Sequence, residues 1–334
     1  MTKKMLNNLV NKNDLKEVIR RVKSNPNLAG SIARKFFSTK NNRAIQAWSH
    51  VSAPQDKWWY IPEVISRWNY LITGDYNLDY YAYITEKYLR NKGKYKALSL
   101  ACGTGSREIE WAKTNKFGAI DAFDASPRRI SFAKSQAEKE NLSDIISFNV
   151  ENVLDVRPNE SEYDLFLGEQ SLHHFSPLNE VVEKIKYSVK PNGLIIVNEY
   201  AGPDRFQWSE EQVYYAKELL IKLPEKYRTF YNSVEIKNDI YKPGRMRMIM
   251  NDPSEAIESS KILPLFSKNF ELLEFKPCAG TLLHLVFDGI AHNFLNEETV
   301  TKELLKMCFD FEDTLLTHKK IESDFIFVMY RNRK

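Results

Sequence analysis

The chain is expected to be an α/β protein built on a mainly parallel sheet covered by helices on both faces, and three observations carry that reading. Between residues 95 and 200, five short apolar runs alternate with helix-patterned stretches, as crossovers between parallel strands require. A glycine-punctuated turn, "ACGTG", joins the first run to the first helical stretch. The 334 residues, 43% hydrophobic and 28% charged, suffice for a core domain with a sizeable addition.

Taken in order, residues 1–92 read as a helical N-terminal cap. In "NDLKEVIRRV", Leu15, Val18, Ile19 and Val22 form an apolar stripe, and Asp14 with Glu17 makes a capping box. The cap then becomes rich in aromatic residues, among them Trp48, Trp58, Trp59, Trp68, Tyr80 and Tyr81. The strand runs are "YKALSLA", "GAIDAFD", "IISFNV", "YDLFLG" and "GLIIVNEY". Between them lie the helical "SREIEWAKT", "SPRRISFAKSQAEKEN" and "PLNEVVEKIKYSV". Beyond Tyr200 the alternation breaks. Ser209, with Gln212 three residues on, starts one helix, and Asp252 followed by Pro253 and Glu255 is expected to start another. Strand signals return at "FELLEFKP" and "DFIFVMYRN". The division is thus a cap over residues 1–92 and a domain over 93–334, with residues 201–265 inserted as a helical lid.

Composition narrows the class further. Residues 1–96 carry 18 Lys and Arg against 7 Asp and Glu, a net +11 that leaves −7 for the rest. These cations are spread through helical patterns, so a solvated surface is favoured over a nucleic-acid face. No run reaches the roughly 18 apolar residues of a membrane span. The N-terminus shows no signal-peptide core, and Cys102, Cys278 and Cys308 have neither pairing nor metal spacing. A reduced, cytoplasmic setting is the expectation.

The turn decides the chemistry. A dinucleotide fingerprint needs a third glycine for helix–strand packing, and Glu108 occupies that place. "ALSLACGTG" instead resembles the first motif of the class I S-adenosylmethionine-dependent methyltransferases. "AFDAS", whose Asp124 lies 19 residues past Gly105, resembles the end of their second strand. "SFNVENVLDV", "YDLFLGEQSLHHF" and "VKPNGLIIVNEY" follow in the family's order. The resemblance covers residues 95–200. It implies a Rossmann-like, mostly parallel seven-stranded sheet and S-adenosyl-L-methionine as cofactor.

That resemblance assigns Gly103 and Gly105 to close backbone approach and Asp124 to both ribose hydroxyls. Ala125 and Val153 are further cofactor contacts, and Asn152 falls to the adenine, its amide oxygen accepting from the adenine amino group. Ser99 stands where an acidic residue is frequent, which removes a charged partner of the methionine amino group. Ala101 replaces the first glycine, at a position expected to have ordinary φ. Glu169, together with Gln170, is placed at the junction of cofactor and substrate.

Candidates for proton transfer are Glu169, His173, Glu199 and His284. Tyr200, Arg205 and Arg245 are candidate substrate contacts, with Trp208 and Arg247 alongside. No metal site is expected, since no carboxylate is spaced to complete one with His173 and His174. The amino-methylating Asn/Asp-Pro-Pro-aromatic motif is replaced by Gly168-Glu169-Gln170-Ser171, and the only Pro-Cys pair, Pro277-Cys278, lies outside the place of a cytosine-C5 nucleophile. Methyl transfer to an oxygen or nitrogen of a small molecule, a sugar or secondary metabolite, is the resulting expectation, by a monomer or homodimer. The alternatives are an RNA- or protein-modifying enzyme and a non-catalytic cofactor-binding module.

Overall fold

The computed structural model describes residues 13–14, 57–90 and 93–334. The stripe from Leu15 to Val22, Glu17 and Trp48 lie outside the described residues. Among the residues described from 57 on, helices α1 (Pro62–Thr73) and α2 (Tyr80–Tyr88) precede the sheet. Then come β1 (Tyr95–Leu100), α3 (Ser106–Lys113), β2 (Phe117–Asp124), α4 (Pro127–Lys139), β3 (Ile146–Val150), β4 (Tyr163–Glu169), α5 (Leu178–Ser188) and β5 (Val189–Tyr200). The five strands fall on the five apolar runs.

Local chemistry explains the boundaries. Ser126 caps α4 by accepting from Arg129 N, with Pro127 at the first helical position. In α5 the spacing of Val181, Val182 and Ile185 turns one apolar face onto the sheet, and all three are buried. β4 is buried at six of its seven positions, as expected of a strand covered on both faces.

The sheet order is β3-β2-β1-β4-β5-β7-β6. β1 to β5 run parallel, while β7 (Phe325–Arg331) is antiparallel to β5 and to β6 (Glu271–Pro277). Strand order reverses between β1 and β4, so a crevice opens beyond their carboxyl ends. Two cores flank the sheet, one around Trp111, Phe117 and Phe327, the other around Phe166, Leu178 and Tyr330.

The later elements are α6 (Glu210–Lys222), α7 (Arg245–Asn251), α8 (Ile262–Asn269), α9 (Leu283–Phe287) and α10 (Thr299–Thr317). Ser209 caps α6 through Gln212 N, as its spacing predicts. No helix starts at Asp252: its Oδ1 takes both the N–H and the hydroxyl of Ser254, which closes a local turn. α10, between β6 and β7, has no counterpart in the sequence reading. Asp14 accepts from Gly244 N and pairs with Arg247 Nε, so the chain before α1 touches the segment after β5.

Candidate active site

At the end of β1 the backbone enters the left-handed region three times, at Ala101 (φ 57°), Gly103 (φ 60°) and Gly105 (φ 76°). The ordinary φ expected of Ala101 is therefore incorrect, and this alanine occupies a conformation that favours glycine. A Cβ on Gly105 would lie 2.4 Å from Phe148 Cζ and 2.9 Å from Ala133 Cβ, whereas one on Gly103 would meet only Arg129 Nη1, at 3.7 Å. Gly105 thus lets the start of α3 lie close against β3 and α4, and Gly103 leaves open room above the turn. The N-terminus of α3 carries no side-chain cap, so its N–H groups suit an anion.

The Asp124 carboxylate braces this turn, Oδ2 accepting from Gly103 N at 3.0 Å and Oδ1 from Ser126 N at 2.8 Å. Burial raises its pKa, against those two bonds and the Arg129 charge. Ser99 does more than vacate a charge: its hydroxyl donates to Glu108 Oε1 at 2.6 Å, and Glu108 Oε2 is buried without a partner. Burial pushes the Glu108 carboxyl up to about 7 against the Ser99 bond. The acid missing from position 99 thus returns from α3, nine residues on. The Asn152 amide oxygen accepts from Leu154 N at 3.0 Å, which leaves its second lone pair for a further donor. Ala125 and Val153 are half-buried. The open space above Gly103, the uncapped helix and the buried acids fit a cofactor with anionic, cationic and ribose ends.

Glu169 is not free for proton transfer. Its two oxygens accept from Tyr80 OH and Trp111 Nε1, both at 2.8 Å, and the residue is 8% exposed. It ties α2 and α3 to the sheet edge. Arg107, which the sequence reading passed over, donates to the same Tyr80 hydroxyl.

His173 and Glu199 do come together. A short 3-10 turn after β4 carries His173, whose Nδ1 lies 2.6 Å from Glu199 Oε2 at the end of β5. Glu199 is fully buried and also accepts from the backbone N–H groups of Ser171, Leu172 and Tyr200. The His173 Nε2 is 3.6 Å from Glu255 Oε1. Burial opposes protonation of His173, but the charge and hydrogen bond of Glu199, with Glu255 beyond, prevail and raise its pKa to about 9.

His173 opens on a cavity of about 440 Å³ above β5 and β7. Its walls include Trp58, Trp59, Tyr200, Phe206, Trp208 and His284, and its charged margin holds Arg247, Asp252 and Glu255. Tyr200 and His284 both line this cavity. Arg245 does not, being exposed on α7. Arg205 is a correction too: its guanidinium donates to the carbonyls of Pro253 and Glu255 and shapes the loop behind the cavity. His173, His174 and Glu255 bring three ligand-type atoms within 4.8 Å of one another, a carboxylate that sequence spacing did not supply. Burial and the His173 charge hold the His174 pKa down to about 3, with Arg129 and Arg205 adding to them and Asp252 opposing.

A family model described as "Methyltransferase domain" matches residues 91–269. Malonyl-[acyl-carrier protein] O-methyltransferase of Halalkalibacterium halodurans is 27% identical over 109 residues, 33% of this chain and 40% of that protein. Erythromycin 3''-O-methyltransferase of Saccharopolyspora erythraea is 23% identical over 104 residues, covering 31% and 34%. The chain thus spans two fifths or less of these curated relatives. Among solved structures, geranyl diphosphate C-methyltransferase from Streptomyces coelicolor, in complex with Mg2+, geranyl diphosphate and S-adenosyl-L-homocysteine, superposes with TM-score 0.45 at 10% identity, covering 76% of this chain and 78% of that one. Among the described residues no helix is long and apolar enough to cross a membrane.

Proposed function

Because the chain belongs to the methyltransferase-domain family, whose methyl donor is S-adenosylmethionine, we propose that it methylates a hydroxyl oxygen of a small molecule held in the aromatic cavity. The observation that carries this reading is the His173–Glu199 pair at the cavity floor. A hydroxyl must lose its proton to become a good nucleophile, and an imidazole oriented by a buried carboxylate is suited to take it. The cofactor supplies a methyl on a sulfonium, whose departure as a neutral thioether needs no further acid. Gly103, Gly105, Asp124, Ala125, Asn152 and Val153 would hold it along the ends of β1, β2 and β3. Glu199 fixes the ring through Nδ1, leaving Nε2 for the acceptor proton. The cavity walls align the acceptor and exclude water. A sugar or secondary metabolite remains the acceptor class, and the free state of Cys102, Cys278 and Cys308 supports a cytoplasmic setting.

The test is turnover of a hydroxylated acceptor library, followed by release of S-adenosylhomocysteine. His173→Ala should lower kcat by about 10²–10⁴-fold with cofactor affinity retained. In the wild type, kcat/KM should rise with pH, reach half its maximum near 9 and level off above that, as His173 loses its proton. A flat profile, or undiminished turnover in His173→Ala, overturns the role given to His173. Turnover should also survive treatment with EDTA. Loss that Mg2+ restores would favour a metal at His173, His174 and Glu255 instead.

A further inference from the structure

Among the described residues, two buried polar ring atoms of the cavity's lining side chains make no hydrogen bond: Trp208 Nε1 and His284 Nε2. Both residues line the cavity, and Trp208 is 9% exposed. Their chemistry is complementary. His284 Nδ1 lies 2.6 Å from the Gly280 carbonyl oxygen, which can only accept, so Nδ1 carries the hydrogen. Burial pushes the His284 pKa down to about 4, against the Gly280 bond and Asp288, so the ring is neutral and Nε2 is an acceptor. The indole N–H of Trp208 is a donor only. Burial raises the pKa of Tyr200, whose hydroxyl donates to Pro203 O. The Trp208 indole approaches that hydroxyl and opposes the shift, but its nitrogen does not reach hydrogen-bond geometry there.

The two rings are 5.5 Å apart at 59°. Phe206 stacks on Trp208 at 16°, and Phe325 stands edge-on to His284 at 5.5 Å. A donor and an acceptor in one aromatic box call for a partner that both accepts and donates. Carboxylates and carbonyls only accept, and an ammonium only donates. A neutral hydroxyl does both. The Tyr200 ring stands between the two histidines, 6.3 Å from His173 and 5.9 Å from His284, so this place is separate from the proton-transfer corner.

Resting on the acceptor-site reading above, we propose that Trp208 and His284 recognise a second hydroxyl of the acceptor, remote from the one methylated, and that the acceptor therefore carries at least two hydroxyl groups. The acceptor's O–H donates to His284 Nε2 while its oxygen accepts from Trp208 Nε1. His284 is a recognition residue in this arrangement, and the proton-transfer role expected of it passes to His173 alone.

Titration calorimetry on the full chain saturated with S-adenosylhomocysteine tests this with 2,6-dihydroxynaphthalene, 2-naphthol and 6-hydroxy-2-naphthoate. The diol should bind about tenfold more tightly than 2-naphthol, for two neutral hydrogen bonds gained, and the carboxylate more weakly than the diol. In His284→Phe, which keeps the ring and removes the acceptor, the diol-to-naphthol ratio of affinities should fall to about one. Should that variant not fold, Trp208→Phe reads the same ratio. Equal binding of all three compounds, or a ratio unchanged in the variants, overturns the proposal alone. Binding of none of them overturns both the proposal and the acceptor-site reading.

Discussion

At the residue scale, Ala101 and Gly105 share a backbone conformation but not an environment. Gly105→Ala should cost about 2 kcal/mol or more, combining left-handed strain with overpacking, because its Cβ would meet Phe148 and Ala133 at once. Ala101→Gly should instead gain about 0.5–1 kcal/mol, the strain relieved less the entropy added. Thermal or urea denaturation of both variants checks the pair, and a stabilised Gly105→Ala would refute the packing argument. The glycine turn and Asp124 were legible because their spacing is local. Glu169, Arg205 and Arg245 were misread because nothing local says which partners arrive: Tyr80 and Trp111 come from 89 and 58 residues away to occupy Glu169. The His173–Glu199 pair was legible only as two separate candidates. Its pairing needed β4 and β5 to be neighbours.

At the element scale, α10 shows what the sequence reading could not supply. It is anchored by Glu312, fully buried, which accepts from Gly280 N, Leu282 N and Leu283 N and pairs with Arg67 of α1 at 3.0 Å. Three backbone donors and one guanidinium thus hold α1, α10 and the loop before α9 on a single carboxylate. Arg67→Ala should destabilise by about 3 kcal/mol, since it leaves that charge buried and short of its counter-ion. Urea unfolding monitored by tryptophan fluorescence reads the loss, and a change below about 1 kcal/mol would show that the backbone donors suffice. The strands were predictable because apolar runs and turn residues mark them. Asp252 misled because aspartate begins both helices and turns, and the side chain of Ser254 settled the choice.

At the scale of the whole molecule, several buried groups hold protons more tightly folded than unfolded. Burial lifts the carboxyls of Glu108 and Asp324 to about 7, and the Glu199 contact lifts His173 to about 9 against its own burial. Each raised pKa means that the folded state binds the extra proton, so stability falls as pH rises. The carboxyls act between their ordinary range near 4 and pH 7, and His173 between about 6.5 and 9. Glu162 and Glu274 have lowered pKa values, against their burial, through Lys96 and through Tyr83, Tyr88 and Lys87, so their contribution is lost only as pH falls below about 4.5. His174 and His284, buried and neutral with pKa values lowered to about 3 and about 4, work in the opposite sense up to about 6.5. The two sets oppose each other there, so the thermal midpoint should decline clearly only between about pH 7 and 9, where His173 acts. A midpoint that climbs from pH 7 to 9 would contradict this, and Glu108→Gln should remove one falling contribution, so that the midpoint gains between about pH 5 and 7 relative to the wild type. The strand order has another consequence. On the proposed reading, the ends of β3, β2, β1 and β4 would suit the methyl donor, while the ends of β5 and β7, with the segments threaded around them, line the cavity proposed for the acceptor. The chain is thus written as two nearly separable paragraphs, with donor grammar before residue 170 and acceptor vocabulary mostly after it. Lineages descended from such a scaffold can rewrite the second without editing the first, and a chimaera exchanging residues 201–323 should inherit its choice of acceptor from the borrowed half.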